Sequence, residues 1–349
     1  MRTLYTDKGF LNVTAIARQA DAIDAAFVVI IGARQTGKTY GTLKHMLRLY
    51  FEEGRKFILM RRTQAEADFI AHGQISPFAA IDRSVTVRRA SKYHSEIRRP
   101  HCDACQDGDE EVLGIVLALS TVSKIRGFSG AEFENVVFDE FIPEQHVMKI
   151  KAEGDAFLNA VVTISGNREL EDRPPLRVWL LANSNNLSSP ILEALNLTKK
   201  VEAMSRSGQE ISVMPDRGVV VVLPRSEEVL QRRKQTAITR AIREDSNFSR
   251  MAFGNEFSYN DDAGVTRINL PEWLYIDTVN GLFDLYQHKA EQRLAVTEPT
   301  HLDGTYTVNT LKRFEREHPY VRPAFFGGRV LFSSLTAKEQ FKRFMKLST

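Results

Sequence analysis

The sequence predicts an α/β protein, in which a mostly parallel sheet flanked by helices is followed by a linker module and a small α+β domain. Three observations carry that expectation. Phe27-Val28-Val29-Ile30-Ile31 is a short β-branched apolar run, the pattern of a strand buried on both faces, and it leads straight into a glycine-bracketed loop. A second apolar run, Val136-Val137-Phe138, ends in two acids, Asp139 and Glu140. After Leu197 the composition shifts, and domain limits are expected at 1–200, 201–258 and 259–349.

The loop carries the chemistry. Gly32-Ala33-Arg34-Gln35-Thr36-Gly37-Lys38-Thr39 matches G-x-x-x-x-G-K-[ST] in full. The two glycines let the backbone curl so that successive N–H groups point at phosphate oxygens. The helix that follows aims its positive dipole end at the same anion. Lys38 adds a point charge and Thr39 a hydroxyl for Mg²⁺. The expected nucleotide ligands are therefore residues 32–39 together with Tyr40 at the helix start.

Composition sets broad bounds. A chain of 349 residues has room for a large domain and a smaller one, and 43% apolar residues is ordinary for a globular protein. Lys and Arg total 47 against 44 acids, so the net charge of +3 does not by itself indicate nucleic acid. The two cysteines, Cys102 and Cys105, cannot build a disulfide framework and are expected in a reducing compartment. Residues 1–26 have no signal-peptide core, and no apolar run approaches membrane-spanning length, so a soluble protein is expected.

In chain order, residues 1–26 hold a helix, Phe27–Ile31 the first strand, and Lys38 to about Glu53 a helix closed by Gly54. Lys56–Met60 is the next strand, with Arg61-Arg62 at the carboxyl edge where ligands collect in open α/β sheets. A helix follows from Gln64. From Ser84 to Ser120 the alternation of Val85, Val87 and Val112–Leu119 predicts an antiparallel ribbon. Its tip, with His101, Cys102 and Cys105, reads as a reduced, solvated loop rather than a zinc site, because structural zinc usually takes two spaced ligand pairs.

The acidic run then supplies the second half of the site. Asp139 is placed to hold the Mg²⁺ water shell, and Glu140 to orient and deprotonate an attacking water. A glutamate directly after the aspartate favours hydrolysis over transfer to another acceptor. Leu176–Ala182 forms another buried strand, and Asn183 at its end is placed to sense the γ-phosphate; the alternative is a cap or turn role. Farther on, Gly218–Leu223 is β-rich, and Glu227–Arg243 is helical, carrying Arg232, Arg233 and Lys234. These three are either a solvated face or a contact to a phosphate backbone. Strands are expected around Trp273–Asp277 and a terminal helix over about Thr336–Leu347. From Lys312 onward nine Lys/Arg face three acids, the strongest charge bias in the chain.

Taken together, Val29–Arg34, Met60-Arg61-Arg62, Val136–Ile142 and Asn167-Arg168-Glu169 resemble the genome-packaging (DNA encapsidation) ATPases of small tailed phages with protein-primed genomes, relatives of large terminase motors. The resemblance covers roughly residues 20–200. It implies an additional-strand, catalytic-glutamate (ASCE) ATPase fold using ATP and Mg²⁺. It further implies a homopentameric ring at the portal vertex of a prohead in the host cytoplasm, translocating double-stranded DNA and absent from the mature virion. Well-known members also use a packaging RNA. The C-terminal domain, with Asp277, Asp284 and Asp303, would be a vestigial RNase H-like nuclease that no longer cuts. The family's trans-acting arginine falls where this chain has Gly166, so Arg168 is expected to take that role and Arg126 a sensing role. Two other readings compete: a P-loop kinase for a small molecule, and a nucleotide-gated DNA-binding scaffold without turnover. The adjacency of Asp139 and Glu140 disfavours the kinase, and the intact Lys38/Asp139/Glu140 set disfavours the scaffold.

Overall fold

A computed structural model of the chain describes residues 4–72, 76–100, 110–122, 130–143, 150–184, 189–237, 239, 264–301 and 303–347. The chain divides into two compact units, Met1–Tyr259 and Asn260–Thr349.

The first unit begins with α1 (Val13–Asp21), β1 (Phe27–Gly32), α2 (Lys38–Glu53), β2 (Lys56–Arg61) and α3 (Gln64–His72). It continues with β3 (Thr86–Arg89), β4 (His94–Pro100), β5 (Glu110–Ala118), α4 (Leu119–Val122), β6 (Phe133–Asp139) and α5 (Glu153–Ser165). Next come β7 (Arg177–Asn183), α6 (Pro190–Ala194), α7 (Thr198–Ser207), β8 (Ile211–Met214), β9 (Val219–Val222) and α8 (Glu227–Lys234). The nine strands form one sheet in the order β3-β4-β5-β2-β6-β7-β1-β9-β8. From β5 to β9 every neighbour is parallel. Antiparallel strands close the two edges. The central strands are uniformly apolar because helices cover both faces. Val28, Ile30, Phe57, Leu59, Val137 and Leu181 are all fully buried in one cluster that also takes Val13, Ile16 and Ala20 of α1.

Strand β7 lies between β1, which feeds the glycine loop, and β6, which ends in the acids. That inserted strand is the feature the ASCE fold requires. It also puts the carboxyl ends of β2, β6, β7 and β1 side by side, so Arg61, Asp139, Asn183 and Gly32 stand along one edge of the sheet.

The expected boundary at residue 200 falls inside this unit. Val219–Val222 pairs in parallel with Phe27–Ile30 and is buried at every position, so the presumed start of a linker module is the eighth and ninth strands of the same sheet. Four consecutive valines need cover on both faces, and β9 receives it inside the sheet between β1 and β8. The ribbon forms through β3, β4 and β5 as expected. Its tip, including His101, Cys102 and Cys105, lies outside the described residues, as does Arg243, the expected end of the helix that begins at Glu227.

The second unit contains β10 (Trp273–Val279), β11 (Phe283–His288), β12 (Leu294–Thr297), α9 (Leu311–Glu317), α10 (Val321–Phe326), β13 (Val330–Phe332) and α11 (Leu335–Phe344). Its sheet runs β10-β11-β12-β13, antiparallel except for the last pair. Aromatic rings fill the core, with Phe283 5.4 Å from Phe341 and Phe314 5.2 Å from Phe344, both edge-on, the arrangement ring quadrupoles favour.

Candidate nucleotide-binding site

The loop between β1 and α2 is shaped by backbone that most residues avoid. Gly37 precedes the first turn of α2 at φ 87°, where a side chain would be strained. Gln35 adopts φ 59° without being glycine, a cost of order 1 kcal/mol tolerated chiefly where function needs the geometry. Gly32 serves a different end: a Cβ there would lie 2.8 Å from Cγ of Pro224, so the residue must be bare for the chain leaving β9 to pass.

Lys38 is buried and turned into the loop. Its ammonium donates to the carbonyls of Gly32 at 2.9 Å and Ala33 at 2.6 Å, and lies 3.4 Å from Oδ1 of Asn183. Register places Asn183 directly beside Gly32 on the neighbouring strand. The Thr36 hydroxyl donates to the Ala33 carbonyl at 3.1 Å and holds the curl.

Across the cleft, the Thr39 hydroxyl donates to Oδ1 of Asp139 at 3.0 Å, an oxygen that also accepts from the Glu140 N–H at 3.1 Å. Burial pushes the Asp139 carboxyl above its ordinary pKa, while the charge of Arg61 pulls it back down. Glu140 sits at φ 57°, a left-handed turn immediately after the strand that swings its side chain out to 56% exposure. One acid is thus held in the wall and the other projects into the cleft. The cavity between them and the loop measures about 340 Å³ and is lined by Arg34, Gln35, Thr36, Gly37, Lys38, Thr39, Tyr40, Asp139, Glu140 and Asn183. A hydroxyl and a carboxylate converging at hydrogen-bond distance fit Mg²⁺, which takes hard oxygen donors, usually one or two from protein and the rest from phosphate and water.

Two arginines at the end of β2 complete the site, and neither was among the expected site residues. Arg61 donates to Oδ2 of Asp139 at 2.8 Å and to Oε2 of Glu140 at 2.6 Å. Arg62, buried, grips Glu153 at the start of α5 with a two-point bond of 2.6 and 3.0 Å. Their sequence signals are their place at a strand's carboxyl end and the resemblance of Met60-Arg61-Arg62 to the packaging ATPases, neither of which names a partner.

Of the arginine assignments, the one for Arg168 needs correction. Arg168 is 2% exposed and donates to the backbone carbonyls of Phe133 at 2.5 Å and Ala131 at 3.1 Å. Phe133 begins β6, roughly 20 Å along the strand from Asp139 at a rise of about 3.3 Å per residue. Burial also lowers the pKa of this guanidinium. A side chain spent on the opposite end of the acidic strand is a clamp, not a finger offered to a neighbour. Arg126 lies outside the described residues. Arg232 is exposed but pairs with Glu228 one turn back and reaches the Lys8 carbonyl; the side chains of Arg233 and Lys234 lie outside the description.

Comparison with known proteins places the chain in a family. The model of the family "Podovirus DNA encapsidation protein (Gp16)" matches residues 18–269. The DNA packaging protein of Bacillus phage B103 is 23% identical over 239 residues, 68% of this chain and 66% of the relative. Its counterpart in Bacillus phage phi29 is 23% identical over 236 residues, 65% of this chain and 61% of the relative. The chain thus aligns with slightly less than two thirds of the curated relatives it matches. Among solved structures, the bacteriophage phi-29 viral genome packaging motor assembly superposes with a TM-score of 0.63 at 18% identity, over 98% of this chain and 100% of the other. The phi-28 gp11 DNA packaging motor gives 0.59 at 14% identity, over 98% and 100%. At such identities the superpositions establish the fold.

Proposed function

The chain belongs to the podovirus DNA encapsidation (Gp16) family, and from that premise we propose that it is the ATPase of a motor that drives double-stranded DNA into a prohead. The single observation that supports this best is the alignment of four strand ends, which brings Lys38, Asn183, Asp139 and Glu140 around one cavity beside a helix N-terminus. The loop amides and Lys38 bind the β- and γ-phosphates. Thr39 and Asp139 would hold Mg²⁺, which neutralises phosphate charge when bound. Glu140 projects into the same cavity, where its carboxylate orients a water and takes its proton. Asn183, on Lys38 and at the loop, reads the γ-phosphate.

The same reading makes the protein a homo-oligomeric ring, a pentamer by likeness to its family, acting at the portal vertex in the host cytoplasm. DNA would be held through phosphate neutralisation, with the basic residues of α8 and the segment after Lys312 as the contact candidates.

ATP hydrolysis measured with and without double-stranded DNA tests the proposal. DNA is expected to raise turnover, and Lys38→Ala to reduce it to background. ATP consumption that required a small-molecule acceptor would indicate a kinase, and tight DNA and nucleotide binding without turnover would indicate a scaffold.

A further inference from the structure

Arg61 lines a second cavity and bonds to the two acids that line the phosphate-loop cleft. On one side of those acids is the phosphate-loop cleft. On the other is a cavity of about 490 Å³ lined by Leu43, Leu59, Phe69 and Ile70, with Arg61 and Asp139 at its edge. The guanidinium spans both acids, Nη1 on Asp139 and Nη2 on Glu140, and is 16% exposed, so this is not an ordinary solvated ion pair. Its Nε–H is buried and bonds nothing among the described residues.

The backbone that carries Arg61 is fixed. Thr63 caps α3 in a reciprocal box: the Glu66 N–H donates to the Thr63 hydroxyl at 3.3 Å, and the Glu66 carboxylate accepts from the Thr63 N–H at 3.0 Å. The same carboxylate accepts from the Arg62 N–H at 3.0 Å, and the Arg62 side chain is locked to Glu153. Any change in the contacts of Arg61 is therefore a side-chain movement, and the neighbouring cavity gives it room.

We propose that Arg61 is a positioning residue that acts within its own subunit: it occupies Asp139 in competition with the divalent cation and holds the exposed Glu140 carboxylate in place for its work on water. This rests on the ATPase reading above. Oδ2 of Asp139, the oxygen given to Arg61, is the one left after Thr39 and the Glu140 N–H have taken Oδ1. A cation held by Thr39 and Asp139 would share one carboxylate with the guanidinium, so the two positive charges compete for the same anion. The bond to Glu140 is separate, made by the other nitrogen, and needs no rearrangement. Arg61 thus sets a threshold for cation entry and restrains a side chain whose left-handed backbone and exposure otherwise leave it free.

The test is a Mg²⁺ titration of fluorescent ATP-analogue binding by the full chain, run beside ATP turnover, for wild type, Arg61→Lys, Arg61→Ala and Arg61→Gln. Removing the guanidinium charge is expected to lower the half-saturating Mg²⁺ concentration for nucleotide binding about tenfold, because a competing ion pair is gone. Turnover is expected to fall by about 10²-fold as Glu140 loses its restraint, while affinity at saturating Mg²⁺ stays within about threefold. Arg61→Lys should keep the wild-type Mg²⁺ midpoint but recover only part of the turnover, since an ammonium cannot bridge two carboxylates in fixed geometry. If Arg61→Ala does not fold, Arg61→Gln carries the same expectation with less loss of packing. An unchanged Mg²⁺ midpoint in the neutral variants, with wild type binding and hydrolysing ATP, overturns this proposal and leaves the ATPase reading standing. A wild-type chain that bound no nucleotide would overturn both.

Discussion

The two units each place aspartates at strand positions in a sheet, and they use them in opposite ways. At the end of β6, Asp139 and Glu140 border a cavity, and burial raises the Asp139 pKa. In the second unit, Asp284 on β11 is fully buried and saturated with donors: the Thr278 hydroxyl at 2.6 Å, the Thr300 N–H and hydroxyl at 2.8 Å each, and His301 at 2.9 Å. Burial alone would raise its pKa, but those hydrogen bonds outweigh it and hold it below the ordinary value. Asp277, one strand away, accepts the Thr278 N–H and lies 4.0 Å from His318. A carboxylate beside a cavity, whose donors are a hydroxyl and an arginine side chain that can turn away, can exchange them for a ligand. One whose oxygens are all taken by its own fold contributes stability instead. Among the described residues no group of three or more potential ligands that could hold a metal occurs in either unit.

The comparison breaks if the two kinds of carboxylate respond alike to mutation. Asp139→Asn is expected to reduce ATP turnover by about 10³-fold or more with little loss of stability, as is usual where function holds a charge in an unfavourable place. Asp284→Ala should do the reverse, leaving turnover per folded molecule unchanged while chemical denaturation reports a loss of about 4 kcal/mol, because Thr278 and Thr300 lose a charged acceptor. The wild-type protein should not nick plasmid with Mg²⁺ or Mn²⁺; nicking abolished by replacing Asp277 or Asp284 would show that their oxygens are available after all.

A smaller effect sharpens the contrast by adding a buried group that is neither cradled nor catalytic. His45 on α2 packs edge-on against Trp179 at 5.6 Å, and burial, aided by Arg48, lowers its pKa from 6.5 to about 4. The unfolded chain therefore binds a proton that the native state refuses across that interval. Stability should fall as pH drops from 6.5 to about 4, by up to about 3 kcal/mol at the rate of about 1.4 kcal/mol per pKa unit. Denaturation midpoints for His45→Gln should lose most of that slope. Asp284, whose folded pKa is depressed, loses its contribution only below the ordinary carboxylate value, at lower pH.

What could be read in advance divides along physical lines. The loop and the acids were legible because each is contiguous: the spacing that makes Gly32–Thr39 curl around phosphate is a property of eight consecutive residues. Arg61 is legible only as a residue at a strand's carboxyl edge, because its contacts to the acids depend on β2 lying beside β6, a pairing set by the fold of the whole sheet. Val219–Val222 was placed outside the domain for the same reason, since nothing in four valines names β1 as their partner. Arg168 looks like a finger in a polar turn. Its burial follows from the turn after α5 packing against the start of β6, and that contact spans 35 residues of sequence. The Arg62–Glu153 lock spans 91.

If Glu140 activates the water that cleaves ATP held by the loop and Asp139, the fate of nucleotide bound to Glu140→Gln shows it. After incubation with ATP and Mg²⁺ and rapid removal of free nucleotide, wild type should yield mainly ADP. The variant should yield intact ATP at comparable occupancy, because an amide cannot accept the proton from water. ADP recovered from the variant at the wild-type rate would contradict the account.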